Sequence, residues 1–383
     1  MNLESIRLSE EIKTKLVQIG YQKLTDIQSK VIPHVLEKKD VVAQSRTGTG
    51  KTAAFLIPIL DAGFWRNRQK QRQPQVLILE PTRELALQVS KEAQKLTSSS
   101  NNLKIITVYG QESLHRQAQI LHEGVDIVVG TLGRVEHHLR ENNFKINELK
   151  FLVLDEVDEM INEGFLPTTE WIIERIPSTC QILLFSATVS TEVENFAKRF
   201  LKKPIFIVSQ PEQSQVANIQ QHYLKVSPNK NQTLINLVES LNQNKPVLIL
   251  VFANTKRQVE VVSKVIRKQE KLRQKGLVID FLHGDLRQRK RIKILEKFRN
   301  RQISLLVVTD VLGRGIHIDN VDYVINYDIP QNPASYTHRI GRTGRAESTG
   351  VALTLVSSDV EIKELLKIAR RQKFEIKEYK LNS

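Results

Sequence analysis

The stretch "VVAQSRTGTGKTAAF" (41–55) combines an apolar strand, a short loop with two glycines and the start of a helix. The residues of the predicted strand are nearly all apolar, which is typical of a strand covered on both faces of a parallel sheet. Similar apolar runs alternate with helical patterns along the chain, from "QVLILE" (75–80) to "VALTLVS" (351–357). Strands that alternate with helices form βαβ units, so the sequence predicts an α/β fold with parallel sheets flanked by helices.

Length and polar segments indicate two domains. The chain has 383 residues, which exceeds one typical hydrophobic core. A polar stretch interrupts the alternation of strands and helices. We therefore predict an N-terminal domain over 1–208, a linker over 209–217 and a C-terminal domain over 218–383. Two such domains would hold any shared site in the cleft between them.

Charge is distributed unevenly along the chain. Residues 1–210 contain 27 basic and 25 acidic side chains, whereas residues 211–383 contain 30 basic and 17 acidic ones. An excess of positive charge in one half favours a polyanionic partner such as a nucleic acid. The single cysteine excludes an internal disulfide framework, and the apolar runs are too short to span a bilayer. We therefore expect a cytoplasmic protein without a membrane partner, and a monomer because nothing in the pattern requires a dimer.

The loop at 45–52 has the features of a phosphate-binding loop. Gly48 and Gly50 would let backbone amides approach a phosphate, and the helix that follows points its N-terminus at the same place. Lys51 can reach the β- and γ-phosphates of a nucleotide, and the Thr52 hydroxyl can bind Mg²⁺. A chance glycine turn is the alternative, because Ser45 stands where the pattern GxxxxGK[ST] has its first glycine.

A second strand, in "FLVLDEVDEM" (151–160), ends in concentrated negative charge. Acids at the end of a buried strand, on the same sheet as a phosphate loop, are typical of a Walker B site. Asp155 would then hold Mg²⁺, and Glu156 would orient the attacking water. A solvated turn at the start of a helix is the alternative. The two stretches together predict a site for ATP and Mg²⁺.

Nine segments resemble the motifs of the DEAD-box RNA helicases of helicase superfamily 2, in the family's order and over about residues 3–380. They are "LTDIQ" (24–28), "SRTGTGKT" (45–52), "PTREL" (81–85), "TLGR" (131–134), "DEVD" (155–158), "SAT" (186–188), "VFANTK" (251–256), "TDVLGRGIHI" (309–318) and "HRIGRTGR" (338–345). The resemblance implies two tandem RecA-like domains and RNA-stimulated ATP hydrolysis that is coupled to local separation of short RNA duplexes.

The resemblance also implies roles for single residues. Gln28 would read the adenine, and Arg342 and Arg345 would act as arginine fingers on the γ-phosphate. The other nucleotide-binding positions would be Ser45, Arg46, Thr47, Gly48, Thr49, Gly50, Gly315 and His317. RNA would be held through phosphates and sugars, without reading of its sequence, by Pro81, Thr82, Arg83, Gly110, Thr131, Gly133, Arg134, Arg291 and Thr309. The residues that would couple the two domains are Asp158, Ser186, Thr188, His338 and Arg339.

Several positions depart from the family pattern. Leu3 stands where an aromatic side chain usually packs on the adenine, and Gln111 replaces the second glycine of a GG pair. His317 replaces an aspartate that would accept a hydrogen bond from the ATP ribose. The other departures are Leu24, Leu132 and Val157. They leave open an ATP-gated RNA clamp or scaffold with low turnover, while a translocating DNA helicase fits the charge but not the motifs.

Overall fold

The computed structural model describes residues 3–45, 49–63, 73–97, 103–209, 219–242, 247–286, 288–310, 318, 321–330, 333–344, 350–372 and 374–380. The chain separates into two compact units, Met1–Pro211 and Glu212–Ser383. Each unit contains one seven-stranded sheet, and the strand pairings are parallel. The predicted α/β class with two parallel sheets is confirmed, whereas the predicted linker limits stay a prediction.

The first sheet has the strand order β3-β4-β2-β5-β6-β1-β7. Its strands are β1 (Val41–Gln44), β2 (Val76–Glu80), β3 (Ile105–Val108), β4 (Ile127–Thr131), β5 (Phe151–Leu154), β6 (Gln181–Ser186) and β7 (Ile205–Val208). After a 3-10 turn at Leu3–Ser5, the helices are α1 (Glu10–Gln18), α2 (Asp26–Leu36), α3 (Lys51–Asp61), α4 (Arg83–Leu96), α5 (Leu114–His122), α6 (Leu132–Arg140), α7 (Val157–Asn162), α8 (Leu166–Ile173) and α9 (Thr191–Phe200). Two hydrophobic clusters, one on each face of the sheet, form the core.

The second sheet has the order β10-β11-β9-β12-β13-β8-β14. Counted from its own first strand, this is the same order as in the first sheet. Its strands are β8 (Ile219–Lys225), β9 (Ile249–Phe252), β10 (Ile279–Leu282), β11 (Leu305–Val308), β12 (Tyr323–Asn326), β13 (Gly350–Val356) and β14 (Lys377–Glu378). The described helices are α10 (Lys230–Leu241), α11 (Lys256–Arg267), α12 (Glu270–Gln274), α13 (Gln288–Arg299), α14 (Pro333–Ile340) and α15 (Asp359–Gln372).

Three strands were absent from the sequence prediction. β7 and β14 lie at the edges of their sheets. β7 reads "IFIV", which is apolar but only four residues long and half exposed, and β14 consists of two exposed charged residues. β8 reads "IQQHYLK" and is mostly polar, although it pairs with β13 and β14. A search for continuous apolar runs detects strands buried on both faces and fails for the polar strands β8 and β14, whereas β7 is a short apolar run that the sequence prediction left out.

Parallel strands bring their C-terminal ends to one edge of a sheet, which is where ligands bind in such folds. In the first unit this edge receives the loop after β1 and the polar segments after β2, β3, β4, β5 and β6. The predicted site residues of the first unit lie in these segments or at the starts of the helices that follow them, except Gln28, which lies on α2. In the part of the chain that the structure describes, no helix is long and apolar enough to cross a membrane.

Candidate active site

Lys51 is the first residue of α3 and is 5% exposed. Its Nζ lies 2.7 Å from Glu156 Oε1 and 3.8 Å from Asp155 Oδ1. Burial alone would lower the pKa of Lys51, but the carboxylates of Glu156 and Asp155 outweigh burial and raise this pKa. The ammonium group is therefore charged and lies between the phosphate loop and the acids that follow β5.

The two acids differ in backbone and electrostatics. Burial raises the pKa of Asp155 to about 6, although Lys51 partly offsets the rise. Glu156 precedes α7 with φ 52° and ψ 49°, in the left-handed region that non-glycine residues seldom adopt. Its Oε2 has no hydrogen-bond partner among the described residues. Such strain is typical of functional sites, because the surrounding fold must hold it in place.

The acids fit a divalent cation that is shared with phosphate. Among the described residues, no group of three or more His, Cys, Asp or Glu side chains could hold a metal ion by itself. Mg²⁺ usually keeps several waters and binds one or two carboxylates together with substrate phosphates. Asp155 is a buried carboxylate with a raised pKa, so it would gain from a nearby positive charge. The residues present therefore suit Mg²⁺ that arrives with a nucleotide.

The phosphate loop is anchored from α2. Gly50 caps α3 with φ 93°, and a Cβ atom at this position would collide with the Gln28 side chain. The Gln28 amide donates to Gly50 O over 3.2 Å and accepts from Thr25 N over 2.9 Å. Gln28 thus contacts Gly50 of the loop, and its role in reading the adenine stays a prediction.

The end of β6 connects the loop after β1 with the segment after β5. Ser45 N donates to Ser186 O over 2.9 Å. Asp158 N donates to Ser186 Oγ over 3.3 Å, and Ser186 Oγ donates to Thr188 O over 2.6 Å. Thr188 donates to Asp158 Oδ2 from its backbone N over 2.9 Å and from its hydroxyl over 2.8 Å. Hydrogen bonds thus join "SAT" (186–188) to "DEVD" (155–158), whereas the predicted role of these residues in domain coupling stays a prediction.

Arg83 lies at the start of α4, where Thr82 caps the helix by accepting from Leu85 N. Its Nη1 donates to Gly110 O and to Gln111 Oε1, each over 3.2 Å. Gln111 has φ 66°, so it occupies the left-handed region in place of the family's glycine. The side chain at this position consequently contacts an arginine that was predicted to bind RNA.

Arg134 belongs to a second polar network on α6. Its Nη1 donates to Glu112 O over 3.3 Å and to Gln117 Oε1 over 3.4 Å. His138 Nε2 lies 3.0 Å from the same Gln117 oxygen. Burial lowers the pKa of Arg134, and burial together with the Arg134 charge lowers the pKa of His138 to about 4. The remaining predicted RNA residues of this unit lie beside the two networks at the strand ends and are Pro81, Thr131 and Gly133.

In the second unit, Arg339 of α14 is the most heavily bonded of the predicted residues. It is 1% exposed and forms an ion pair with Asp310 through two nitrogens. It also donates to Asn326 Oδ1, to Asp328 O and to Asn254 Oδ1. All five N–H groups of the guanidinium are thereby used inside this unit. These contacts stabilise the second unit, and the interdomain role of Arg339 stays a prediction.

The other predicted residues of this unit are also buried. Arg342 is 2% exposed, and its Nε donates to His338 O over 3.2 Å. Arg291, on α13, and Thr309, which follows β11, are each 6% exposed. Six predicted residues lie outside the described part of the chain, namely Arg46, Thr47, Gly48, Gly315, His317 and Arg345.

Sequence analysis missed one residue of this site, Glu80. It ends β2 and is 0% exposed, and neither carboxylate oxygen has a hydrogen-bond partner among the described residues. A signal was present, because "QVLILE" places an acid directly after an apolar run, as "FLVLDE" does.

Comparison with known proteins agrees with this arrangement. A family model described as DEAD/DEAH box helicase matches residues 25–196, and one described as helicase conserved C-terminal domain matches residues 229–347. The chain is 40% identical over 370 residues to the DEAD-box ATP-dependent RNA helicase CshA of Geobacillus kaustophilus, covering 97% of this chain and 76% of that protein. It is 41% identical to the CshA helicase of Listeria monocytogenes, covering 91% of this chain and 65% of that protein.

Solved structures show the same fold over nearly the whole chain. The S. cerevisiae protein Dbp5 bound to RNA and ADP BeF3 has a TM-score of 0.83 at 28% identity, covering 99% of this chain and 95% of that one. Mss116p bound to ssRNA and AMP-PNP has a TM-score of 0.85 at 27% identity, covering 99% and 79%. The two sheets are therefore tandem RecA-like domains, and the chain belongs to the DEAD-box family of ATP-dependent RNA helicases.

Proposed function

We propose that the chain is an ATP-dependent RNA helicase, an enzyme that couples RNA-stimulated ATP hydrolysis to local separation of short RNA duplexes. The observation that carries this proposal is the buried group formed by Lys51, Asp155 and Glu156 at the end of the phosphate loop. A cation beside two acids suits a nucleoside triphosphate with Mg²⁺. RNA-bound and nucleotide-bound relatives support the choice of RNA as partner.

ATP binding would exchange the partners of Lys51. In the structure its ammonium group donates to Glu156 Oε1. The β- and γ-phosphates of ATP carry more negative charge than one carboxylate, so they would draw Lys51 away. Glu156 would then be free to accept a hydrogen bond from the attacking water and to orient it towards the γ-phosphate. The same lysine would thus keep Glu156 occupied until nucleotide is bound.

Mg²⁺ held by Asp155 and Thr52 would supply positive charge beside the phosphate oxygens. Arg342 and Arg345 would stabilise the charge that spreads over the γ-phosphoryl group in the transition state. Gln28 would recognise the adenine after releasing one of its present partners.

RNA would be held through its backbone by residues of both units. Arg83 and Arg134 donate from single nitrogens to backbone carbonyl and amide oxygens, which keeps the guanidinium groups in place. Contacts of this kind to phosphates position a strand without reading its bases. Asp158, Ser186 and Thr188 would transmit the state of the nucleotide, because their hydrogen bonds join the acid segment to the end of β6. A monomeric, cytoplasmic protein remains part of the proposal, to be tested by sedimentation and cell fractionation.

The test uses Glu156→Gln, with Glu174→Gln at an exposed acid as the matched control. The variant should bind a fluorescent ATP analogue and RNA as the unchanged protein does. RNA-stimulated phosphate release should fall by roughly 10²–10³-fold, the typical cost of losing a group that acts only in the transition state. Normal hydrolysis by Glu156→Gln would remove this residue from its role. Absence of RNA-stimulated turnover in the unchanged protein, with ATP-dependent retention of RNA, would favour the clamp.

A further inference from the structure

Glu80 is a buried acid for which the mechanism above has no use. Both of its carboxylate oxygens lack hydrogen-bond partners among the described residues, and the side chain is 0% exposed. An unsatisfied buried carboxylate is costly, and native proteins keep few of them. A hydrogen-bond donor that the described part of the chain does not supply is therefore expected to satisfy it.

The position of Glu80 on the sheet indicates what that group is. β2 pairs with β5 so that Ile78 lies beside Val153, and both side chains belong to the hydrophobic cluster that includes α3. Side chains alternate along a strand, so Glu80 and Asp155, each two residues further on, project on the same face. Glu80 is consequently directed towards the end of α3 that begins with Lys51.

The pKa of Glu80 responds to the charges of the active-site residues. Burial raises the pKa of Glu80 well above its usual value, the charges of Asp155 and Glu156 raise it further, and Lys51 partly offsets the rise. Several carboxyl groups thus act on one ammonium group, since Asp158 also contributes to the charge around Lys51. The excess of carboxylates favours a divalent cation at this place.

We infer that Glu80 is a positioning residue for the divalent cation that accompanies ATP, and that it accepts hydrogen bonds from the water molecules that the cation keeps. The inference rests on the proposed function, because it requires ATP with Mg²⁺ at this site. Mg²⁺ retains several of its waters in protein sites, and each of these waters is a hydrogen-bond donor. Carboxylates that orient such waters contribute strongly to metal affinity.

This role predicts opposite effects of one substitution in the two states of the protein. In the ligand-free protein, Glu80→Gln removes a repelling acid at constant shape, so the variant should unfold at a higher temperature. With nucleotide, the amide is a poorer acceptor than a carboxylate, so the Mg²⁺ concentration that gives half-maximal binding of a fluorescent ATP analogue should rise roughly 10–100-fold.

Asp40→Asn is the matched control, because Asp40 is also a buried acid of the first sheet. Its carboxylate is satisfied by Ile182 N over 2.9 Å and by Lys202 N over 2.7 Å. This variant should unfold at a lower temperature and keep the unchanged Mg²⁺ dependence. Glu80→Leu is a second variant that removes hydrogen bonding altogether, and it should need at least as much Mg²⁺ as Glu80→Gln.

A higher unfolding temperature together with a raised Mg²⁺ requirement supports the inference. An unchanged Mg²⁺ requirement would overturn it, whatever the stability, because Glu80 would then be a buried acid without a role. A lower unfolding temperature for Glu80→Gln would also overturn it, because the carboxylate would then stabilise the ligand-free protein. Failure of the unchanged protein to bind the ATP analogue with Mg²⁺ would instead contradict the proposed function.

Discussion

The two sheets have the same strand order but opposite electrostatics at their C-terminal edges. In the first unit, Glu80, Asp155 and Glu156 share Lys51, and oxygens of Glu80 and Glu156 have no hydrogen-bond partner among the described residues. In the second unit, the buried Arg339 uses all of its donors on neighbouring oxygens, with Asp310 as its ion-pair partner. The two edges differ because Arg339 has an acceptor for each of its N–H groups, whereas carboxylate oxygens of Glu80 and Glu156 have no donor among the described residues.

A satisfied buried network fixes a structure, whereas an incomplete one costs stability until a ligand completes it. The second edge therefore stabilises its own loops through one arginine. The buried acids at the C-terminal edge of the first sheet are arranged to interact with a positively charged ligand such as Mg²⁺. The same scaffold thus carries a satisfied arginine network around Arg339 in the second unit and buried carboxylate oxygens without hydrogen-bond partners among the described residues in the first.

The largest loss of stability should come from a substitution in the hydrogen-bond network of Arg339. Arg339→Met should lower the free energy of unfolding by about 3–5 kcal/mol, because the half-buried Asp310 carboxylate and several further oxygens lose their donor. Urea unfolding followed by circular dichroism measures this loss. Arg370→Met, at an exposed arginine of α15, is the control and should change stability little. A loss below about 1 kcal/mol for Arg339→Met would remove the contrast between the two edges.

A smaller and pH-dependent effect is expected in the first unit. Lys51→Met leaves acids that can take up protons, and the pKa of Asp155 is already raised to about 6 by burial. A carboxyl group with a raised pKa in the folded state contributes stability at low pH and loses it as pH rises through that pKa. The loss of unfolding free energy should therefore be small near pH 5 and grow towards pH 8. A loss independent of pH would mean that these acids do not titrate near neutrality.

The smallest effect concerns Gln111. A left-handed residue costs roughly 1 kcal/mol unless it is glycine, and the greater freedom of glycine in the unfolded chain offsets most of that gain. Gln111→Gly should therefore change stability by less than about 1 kcal/mol. RNA affinity, measured by fluorescence anisotropy, should fall a few-fold, because Arg83 loses the Gln111 Oε1 contact. Equal or tighter RNA binding would show that this contact does not position Arg83.

The sequence predicted the sheets and the site segments because both depend on local pattern. Apolar runs mark central strands, and the polar residues that follow them must gather at one edge of a parallel sheet. What stayed hidden depends on neighbours distant in the chain. Glu80 is the last residue of β2, and only the pairing of β2 with β5 brings it close to Asp155. The five bonds of Arg339 come from residues up to 85 positions away, and the second partner of Gln28 is Gly50.

Cys180 offers a way to observe the first unit without any engineered probe. It is the single cysteine of the chain, it is 3% exposed, and burial together with the charge of Asp40 raises its pKa to about 12. Alkylating reagents attack the thiolate, so the folded protein should react very slowly at neutral pH. The rate of labelling then measures how often the core beside β6 opens. Nucleotide and Mg²⁺ should slow the labelling if they complete the polar edge of the same sheet.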